Sequence, residues 1–556
     1  MTIAEPDGYH REALDEAERT RLEGLVSNLD SPVFCLIGLP QVTAAALFAR
    51  YSRSPKSLRR LLLDEFLGEA GAVPAGAGAG VDRARELFAK VLAEFGNDSV
   101  AQLAGVHLAC EQVSQPLAKA IEWGRLAAYL EQSTRYIPYT DRRDGEYRYH
   151  RDPEVMASRH AASYVAAMDG LFDAYCALIP AMVEHLDRTV PPAEDPAARR
   201  RALRALALDL VRGLLPAGTV SNVGVFASPQ ALEQLVLRLR AHPLPEARSY
   251  AERIATELQR VVPEFMSRLD RPDRGGVWVE YLRETRAALQ GEVDRLGCGA
   301  QPLSPPPGRG RGPSPLDIEP WSGNRVSLTR WDADGEERII AAALFEHSEL
   351  PLPTLLHRVR RSSPAELDRI FAAAVGDRRN RRHRPGRGFE HTEYSFEVVS
   401  DYGAFRDLQR HRILTIQWQR ISPELGYAIP RQVTEAGLAE RWRLAAERAE
   451  TAYDELLPDF PEQAQYLVTL AHRMRYGMRM NAREALHMIE LRTSPQGHPS
   501  YRRLCQQMLT QIDQVAGHHR VARAMRFAGQ GDVHLPRYAA EAGRDNPGSG
   551  AAEAGG

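Results

Sequence analysis

Apolar residues recur at intervals of three and four along most of this chain, a pattern typical of amphipathic helices. Five segments have it most clearly: 83–95, 231–241, 250–269, 433–456 and 502–516. Shorter stretches rich in β-branched and aromatic residues predict strands. They cover residues 33–37, 146–149, 325–329 and 394–399. The pattern of polar and apolar positions therefore predicts an α+β fold in which helices dominate.

Residues 299–316, GAQPLSPPPGRGRGPSPL, interrupt this pattern near the middle of the chain. Proline and glycine dominate the stretch, so it can bury little and is typical of a linker. We interpret it as a solvated tether in preference to a nucleic-acid contact through its RGRG sequence. The predicted division is a first unit at 1–298, a second unit at 317–535 and a disordered tail at 536–556.

The two predicted units repeat one order of features. In both, a strand opens the unit, and an alanine-rich helix, a helix with a Val-Ser pair and a helix with Leu-Arg follow. These features fall at 44–50, 113–114 and 237–238 in the first unit, and at 341–345, 399–400 and 491–492 in the second. A single match has little weight, but the shared order predicts an internal duplication.

Composition narrows the class of protein. At 556 residues, with 44% hydrophobic and 26% charged residues, the chain has the make-up of a globular protein with two or more cores. Its net charge of −2 gives no bulk attraction to nucleic acid or membranes. Scattered cysteines without C-x-x-C predict reduced thiols, and the polar N-terminus does not resemble a signal peptide. We therefore expect a cytoplasmic protein that binds no nucleic acid, no membrane and no metal.

One polar group has the spacing of a strand face. Glu131, Ser133 and Arg135 alternate, so an extended backbone would place all three on one side. A carboxylate, a hydroxyl and a guanidinium suit the base and phosphate of a nucleotide. A polar strand at the protein surface is the alternative interpretation.

Three further groups are basic. Arg410-His411-Arg412 can clamp phosphate oxygens, or it can be a solvated basic turn. The run at 378–384 is interpreted as a mobile surface loop that attracts anionic ligands. On a helix, Asn481 and Arg492 would return to nearly one face beside the Arg483–His487 pair, as a site or as plain surface.

Two segments, 123–136 and 410–422, resemble opposite ends of one signature, R-H-R-x-x-S-x-x-E-x-S-x-R, of the flavin-dependent thymidylate synthases. The first keeps the E-x-S-x-R end and the second keeps the R-H-R end. Residues 481–492 resemble that family's N-A-R-S-L-x-H/N-F-L-x-L-R segment, and Arg212 lies in a piece like R-x-V-L-P. Residues 389–396 resemble its E-H-x-x-F-T-F segment. The resemblance covers nearly all of both halves and implies two diverged units that form a pseudo-dimer.

In that family each active site is shared between subunits, and the halves of this chain keep complementary parts of it. The resemblance implies that the first half binds dUMP, through Glu131, Ser133, Arg135 and Arg212. It implies that the second half holds FAD, through Glu390, Arg410, His411, Arg412, Asn481, Arg483 and His487. Arg410 would also contact the nucleotide. Arg492 would bind the uracil and, as the catalytic residue, stabilise the charge that develops on it.

The resemblance implies reductive methylation of dUMP to dTMP at one composite site per chain. FAD would be reduced by NADPH, and methylenetetrahydrofolate would supply the carbon. No cysteine nucleophile is required, which fits cysteines without an activating base nearby in the sequence. Because the family's enzymes are tetramers and this chain carries two units, we expect a homodimer that is a pseudo-tetramer, or a monomer with an internal pseudo-dimer.

Some positions depart from the family's pattern. Asp407 stands where the family has glutamine, three residues before R-H-R, and Arg387 stands where it has threonine. The E-x-S-x-R end of the second copy is replaced by Trp418, Arg420 and Ser422. Two alternatives therefore stay open: another one-carbon modification of a pyrimidine nucleotide, such as hydroxymethylation, or a non-catalytic protein that binds flavin or nucleotide.

Overall fold

The computed structural model describes residues 3–4, 10–11, 13–52, 54–67, 84, 102–135, 137–192, 195–297 and 325–531. The predicted linker at 299–316, the tail at 536–556 and, apart from residue 84, the predicted helix at 83–95 lie outside these ranges. The strands within them are β1 (Ile3–Ala4), β2 (His10–Arg11), β3 (Val106–Val113), β4 (Ala127–Glu131), β5 (Arg142–Arg143), β6 (Glu146–Tyr147), β7 (Ser221–Ala227), β8 (Arg325–Trp331), β9 (Glu393–Asp401), β10 (Thr415–Trp418) and β11 (Arg473–Asn481).

Helices make up most of the described chain. They are α1 (Glu16–Leu22), α2 (Gln41–Tyr51), α3 (Leu58–Leu61), α4 (Gln115–Ile121), α5 (Pro153–Met156), α6 (Ala161–Thr189), α7 (Pro196–Val211), α8 (Pro229–Arg240), α9 (Pro245–Val261), α10 (Pro263–Met266), α11 (Val277–Arg295), α12 (Gly335–Phe345), α13 (Leu352–Val359), α14 (Pro364–Val375), α15 (Tyr402–Leu408), α16 (Arg431–Glu435), α17 (Ala439–Leu456), α18 (Ala482–Arg492), α19 (Pro499–Gln514) and α20 (His519–Ala524). Short 3₁₀ turns occur at Arg212–Leu214, Arg387–His391, Pro423–Leu425 and Gln463–Leu467. The predicted α+β class with dominant helices is confirmed.

The chain divides into two compact units; one boundary, between residues 301 and 302, falls in the predicted linker, and the others lie within the predicted first half. The first comprises Met1–Glu111, Gly124–Glu131 and Asn222–Gln301. The second comprises Gln112–Trp123, Gln132–Ser221 and Pro302–Gly556. Two segments of the predicted first half therefore belong to the same compact unit as the second half. The boundary at 299–316 describes a duplication of sequence and stays a prediction.

The second unit is built on an antiparallel sheet with strand order β10-β11-β9-β8. In β9, Tyr394, Phe396 and Val398 are buried while Glu397 between them is exposed, which is the alternation of a half-buried strand. Arg475 on β11 pairs across the strands with Glu397 on the exposed face. The sheet thus has one apolar face, and α19 packs against β8 and β9.

A long helix, α6, packs in the same unit against α7 and α17. Its buried stripe includes Leu171, Phe172, Tyr175 and Leu178, at the spacing of one helical face. By length and composition α6 is apolar enough to span a membrane, but half of its most apolar window is buried inside the protein. A core helix passes the same test, and α6 packs as one.

Most of a smaller sheet, with strand order β3-β7-β4, lies in the first unit. The last residues of β3, after Glu111, belong to the second unit. Strand β7 alternates buried and exposed residues, and β4 pairs with it antiparallel from Ala127–Ala227 to Glu131–Val223. Helix α8 begins at the Ser228 cap and packs against α9. The first unit, like the second, therefore combines a small sheet with packed helices.

Several sequence predictions are confirmed and others are wrong. The helices predicted at 44–50, 231–241, 341–345 and 502–516 correspond to α2, α8, α12 and α19, and the strands at 325–329 and 394–399 to β8 and β9. The helix at 250–269 is interrupted at Val262, because Pro263 has no amide proton and restricts the residue before it. The helix at 433–456 is interrupted at Gly437, whose φ is 73°.

Two predicted features of the repeat also differ. Residues 33–37 form no strand but a loop with a single bridge from Leu36 to Val26, and Val33 is 80% exposed. At 146–149 only Glu146–Tyr147 is strand. Each Val-Ser pair lies at or near a strand end, in β3 and β9, and not on a helix. In both cases a helix begins just after it, and Ser114 caps α4. The order of features is therefore retained while the element type changes.

Candidate functional site

Arg135 is the first member of a buried cluster in the second unit. Its Nε and Nη2 each lie 2.7 Å from a different oxygen of Asp209 on α7, a two-bond ion pair. Its Nη1 donates to the hydroxyl of Tyr501 on α19 at 3.3 Å. Burial alone would raise the pKa of Asp209, but the Arg135 guanidinium holds it well below its usual range. Arg135 therefore stays charged beside an ionised carboxylate.

The prediction that Glu131, Ser133 and Arg135 share one strand face is wrong, because only Glu131 lies in a strand. Glu131 is the last residue of β4 and belongs to the first compact unit, whereas Ser133 and Arg135 belong to the second. The chain turns at residues 134–135, and the Ser133 hydroxyl accepts a hydrogen bond from the Arg135 amide at 3.2 Å. Serine favours such a local turn over an extended strand. The alternation in sequence therefore does not place the three side chains on one face.

Arg212 follows α7 directly and is almost fully buried. Its Nε lies 3.7 Å from Asp209, and its Nη2 lies 3.9 Å from Asp407. Within the described residues Nη2 has no hydrogen-bond partner. Burial lowers the pKa of Arg212, and the charge of Asp209 opposes that shift. A buried guanidinium nitrogen with only distant carboxylates can accept a further anionic or carbonyl ligand.

Asp407, on α15, lies at the centre of three guanidiniums. Arg410, Arg492 and Arg212 approach its oxygens at 3.6, 3.9 and 3.9 Å. None of these distances is short enough for a hydrogen bond. Burial by itself would raise the pKa of Asp407, but the three guanidiniums, Arg410 foremost, lower it strongly. The carboxylate is therefore ionised and balances part of the positive charge around it.

The charges of this cluster do not cancel. Four guanidiniums (Arg135, Arg212, Arg410 and Arg492) surround two carboxylates (Asp209 and Asp407), which leaves +2 for these six groups, and the buried Arg406 beside Arg212 adds further positive charge. Two imidazoles beside them stay neutral at pH 7, because burial lowers the pKa of His498 to about 3 and that of His411 well below its ordinary value. The arginine cluster, as we call these four residues, is thus suited to a doubly negative ligand.

His411 orients Arg492 through a defined tautomer. Arg492 donates from Nε to His411 Nε2 at 3.0 Å, so Nε2 is the acceptor and Nδ1 carries the proton. That Nδ1 lies 2.7 Å from a Glu484 oxygen on α18, and burial raises the pKa of Glu484. The imidazole of His487 lies edge-on to His411 with ring centres 5.4 Å apart. Arg492 is therefore held at the end of a buried polar chain.

The atoms of His411, Glu484 and His487 that could ligate a metal lie within 4.8 Å of one another. Two guanidiniums already contact these imidazoles: Arg492 bonds to His411, and Arg384 lies 3.1 Å from His487 Nδ1. Adjacent cations oppose the binding of another cation. The cluster is therefore better explained as support for Arg492 than as a metal centre.

The remaining residues predicted to hold FAD lie near the start of α18 and on neighbouring loops. Asn481 caps α18 by accepting from the Glu484 amide at 2.9 Å. Arg483 and Arg387 both contact Glu390, at 3.4 and 3.0 Å. Arg410 is 41% exposed, and Arg412 is exposed without a polar partner among the described residues. The predicted flavin side therefore combines structural roles with cations that face solvent.

A cavity adjoins the arginine cluster in the second unit. Its volume is about 20 Å³, enough for about one water molecule, and its wall includes Asp209, Arg212, Gly403, Trp442 and His498. A Cβ at position 403 would lie 3.5 Å from Arg212 Nη2, so glycine leaves space beside this nitrogen, which is itself buried. The cavity therefore reaches Arg212 but is too small for a nucleotide in this structure.

The sequence analysis did not identify three residues that surround the arginine cluster. Asp209, His498 and Tyr501 lie on or next to helices α7 and α19, outside the segments that resemble family motifs. The only signal for Asp209 was an acidic residue in an otherwise apolar helical stretch, LALDLV, one turn before Arg212. Such a residue is buried only when paired, so it indicates a partner without naming it.

The interpretation of residues 378–384 as a mobile surface loop is wrong at Arg378. Its guanidinium is buried and bonds to both oxygens of Glu490 on α18 and to the Ala524 carbonyl. A cation is buried at this depth only with a matched anion, and Glu490 is equally buried. The basic run is therefore fixed to the protein at Arg378.

The fold and the site together define a class of protein: an α+β chain whose second unit holds a cluster of four arginines with an excess of positive charge. The chain belongs to the family described as thymidylate synthase complementing protein, whose family model matches residues 42–264 and 330–517. The two matched segments lie on either side of residues 299–316. The resemblance derived from the sequence is thereby confirmed at the level of the family.

Relatives of similar length exist in bacteria and archaea. The chain is similar to a UPF0159 protein of Chlamydia muridarum (strain MoPn / Nigg), with 37% identity over 536 residues that cover 95% of this chain and 98% of the relative. It is 28% identical to a UPF0159 protein of Thermoplasma acidophilum over 529 residues, which cover 90% of this chain and 98% of the relative. Both relatives are therefore matched over nearly their whole length.

Two solved structures are matched by a smaller part of the chain. The UMP/dUMP methylase PolB from Streptomyces cacaoi, bound with 5-Br dUMP, has 17% identity and a TM-score of 0.30, over 37% of this chain and 96% of that chain. Thymidylate Synthase X (ThyX) from Helicobacter pylori, with FAD and dUMP, has 16% identity and a TM-score of 0.27, over 36% of this chain and 99% of that chain.

Proposed function

We propose that this protein is a flavin-dependent thymidylate synthase that converts dUMP to dTMP at one composite site per chain. The observation that carries the proposal is the arginine cluster. Arg135 and Arg212 come from the first half of the sequence, and Arg410 and Arg492 come from the second. All four belong to one compact unit of one chain. This is the combination of motif ends that the family's shared site requires.

The charge of the cluster supports a nucleoside monophosphate as the ligand. A phosphate monoester carries a charge of about −1.5 to −2 at pH 7, which matches the +2 of the cluster. Guanidiniums bind phosphate oxygens through paired hydrogen bonds of the kind that Arg135 makes to Asp209. We propose that the phosphate takes the place of Asp209 at Arg135, with Arg212 as the second cation.

The residues on the flavin side fit FAD by the chemistry of their donors. Arg412 is exposed and has no polar partner among the described residues, so its guanidinium is available for a phosphate oxygen. Arg410 and Arg483 supply two more cations, and Glu390 and Asn481 supply acceptors nearby on the same side. When bound, FAD would carry a hydride from NADPH to the methylene carbon delivered by methylenetetrahydrofolate.

Arg492 is proposed to act on the pyrimidine itself. Its Nε bonds to neutral His411, which fixes the direction of the guanidinium and leaves the Nη atoms toward Asp407 and the site. A guanidinium held in this way stabilises negative charge on a carbonyl oxygen of the ring. The same neutral imidazole adds no positive charge of its own, so Arg492 remains the cation at this position.

The test is a spectroscopic titration of the purified full chain. We expect yellow protein with about one FAD per chain, and oxidation of the NADPH-reduced flavin that depends on dUMP and methylenetetrahydrofolate together. The nucleotide product, separated by chromatography, should be dTMP. Hydroxymethylated product would favour the other one-carbon chemistry. Flavin that binds but is never oxidised in a dUMP-dependent way would favour a non-catalytic protein, and absence of flavin would refute the proposal.

Assembly and location follow from the same proposal. We propose a homodimer, because two family-like units per chain make a pseudo-tetramer of two chains. We propose that the protein is located in the cytoplasm, where thiols stay reduced. Cys110 and Cys505 are buried and form no disulfide, which fits that location. Light scattering that gives a stable tetramer of full-length chains would contradict the proposed assembly.

A further inference from the structure

A basic loop joins α14 to the 3₁₀ turn at Arg387–His391, and the proposed reaction leaves most of it without a role. The basic loop, defined as residues 376–387, carries six arginines and one acidic residue, Asp377. The chain as a whole has a net charge of −2. A local excess of positive charge of this size, in a nearly neutral protein, marks a surface for an anionic ligand.

The basic loop is fixed along one helix. Arg378 is tied to Glu490, Arg384 lies 3.1 Å from His487, and the Pro385 carbonyl accepts from Arg483 at 2.9 Å. Glu490, His487 and Arg483 all lie on α18, the helix that ends at Arg492. The loop therefore runs beside the helix that carries much of the proposed flavin side. A loop that is already ordered loses less conformational entropy when a ligand binds.

Two arginines of the basic loop point away from these attachments. Arg379 is 81% exposed, and its nearest carboxylate, on Asp377, is 3.7 Å away and equally accessible. Arg382 is exposed and, among the described residues, its side chain has no hydrogen-bond or ion-pair partner. Their guanidiniums can therefore form two-bond pairs with carboxylates of a ligand that stays in solvent.

We propose that the basic loop binds the γ-linked glutamate tail of a polyglutamylated folate, with Arg379 and Arg382 as its carboxylate-binding residues. The inference rests on the proposed function, which makes a reduced folate the co-substrate. Each glutamate in such a tail has a free α-carboxylate, and the last one has a free γ-carboxylate as well, so the tail is a flexible chain of spaced negative charges. Exposed arginines on a fixed loop suit that ligand. The contact of Arg384 with His487, which adjoins His411, connects the loop to the arginine cluster.

The experiment compares monoglutamyl and pentaglutamyl tetrahydrofolate binding to the full chain by calorimetry. The test variant is Arg379→Ala/Arg382→Ala. The matched control is Arg441→Ala/Arg448→Ala, which removes two exposed arginines from α17. At about 50 mM salt, where exposed charges are weakly screened, the pentaglutamyl form should bind about tenfold more tightly. The test variant should lose this preference, and the control should keep it.

A second probe, a penta-γ-glutamate peptide without the pteridine, separates the loop from the proposed function. One informative outcome is that the wild-type chain binds the peptide but no folate, and that the test variant no longer binds the peptide. The proposed function then fails, and the assignment of the basic loop stands. No pentaglutamyl preference in the wild-type chain, or an equal loss in the control, would overturn the assignment. Displacement of the peptide by a short oligothymidylate that binds more tightly would overturn it in favour of a nucleic-acid surface.

Discussion

Replacing Arg135 with alanine tests the nucleotide side most directly, but the change has two effects. It removes a two-bond ligand for the nucleotide phosphate, and it leaves Asp209 buried without its main partner. Arg212 remains 3.7 Å from Asp209 and compensates in part. Removing one member of a buried pair costs about 3–5 kcal/mol, so we expect about 3 kcal/mol here. A loss of dUMP binding could therefore come from instability alone.

The double variant Arg135→Ala/Asp209→Asn separates the two effects. Asparagine carries no charge, so the double variant should recover most of the lost stability. It still lacks the guanidinium, so its dUMP affinity should stay low. One charge-assisted hydrogen bond is worth about 1.5–3 kcal/mol, and tenfold in affinity corresponds to about 1.4 kcal/mol. We therefore expect dUMP to bind about tenfold to a hundredfold more weakly in both variants.

The assay is calorimetric titration with dUMP, with urea unfolding measured in parallel. FAD content should stay at the wild-type level in both variants. Arg443→Ala is the control, because Arg443 is likewise an ion-paired arginine, with Glu440 and Glu447 as partners, but lies partly exposed on α17. If the double variant regains both stability and dUMP affinity, Arg135 is only a structural partner of Asp209. Wild-type dUMP affinity in the single variant would refute the proposed nucleotide role outright.

Four further outcomes are expected. Arg412→Ala should lower FAD affinity at least about tenfold, whereas Trp123→Ala, at the start of the first-half segment that lacks the R-H-R end, should not; the reverse result would mean that the halves are assigned the wrong way round. Arg492→Ala should keep flavin but slow turnover in stopped-flow oxidation. Mixing Arg135→Ala chains with Arg492→Ala chains should give no more activity than the two variants have separately, whereas recovery of about a quarter of wild-type turnover would indicate sites shared between chains. Burial holds the pKa of His498 at about 3 in the folded chain, below the value of about 6.5 in the unfolded chain. Protonation of the unfolded chain therefore lowers the free energy of unfolding as the pH falls below about 6.5. The resulting loss between pH 7 and 5 is about 2 kcal/mol, which His498→Asn, a variant that keeps a helix-capping acceptor, should reduce in urea titrations.

Periodicity predicted the elements that packing reinforces. Helices α2, α8, α12 and α19 follow a local pattern of apolar spacing, and so do strands β8 and β9. The failures lie where a single residue outweighs the pattern. Pro263 ends α9, and the hydroxyl of Ser133 stabilises a turn in place of an extended strand. Such local hydrogen bonds depend on one side chain and leave no periodic signal.

The candidate site could be predicted only as far as its motifs reach. The family segments supplied the four arginines, because each lies in a recognisable local sequence. Their counter-ions do not: Asp209 pairs with Arg135 across 74 positions, and Tyr501 contacts it across 366. A long-range pair of this kind is set by how helices pack, and one sequence carries no direct record of it. Asp407 is the exception, because it lies three residues before Arg410, where the family has glutamine, and the sequence alone shows that difference.

The position of Asp407 now has a physical explanation. A carboxylate beside a phosphate would repel it, yet here the carboxylate lies among Arg212, Arg410 and Arg492 at distances of 3.6–3.9 Å. Without Asp407 these three guanidiniums would repel one another in a buried space, and the cluster would carry +3. The ionised aspartate therefore offsets repulsion between cations that two halves of the sequence bring together.

The bounds of the compact units agree with a division of labour between the halves. The second unit takes in residues 132–221 of the first half, which include Ser133, Arg135 and Arg212, while the rest of that half forms a separate unit. Residues 227–230, the counterpart of the N-A-R segment, lie in that separate unit and have no cationic clamp. If one site per chain is assembled inside the second unit, residues of the other copy's site no longer contact ligand. They can then change without loss of activity, which accounts for motif ends that are missing in a complementary way.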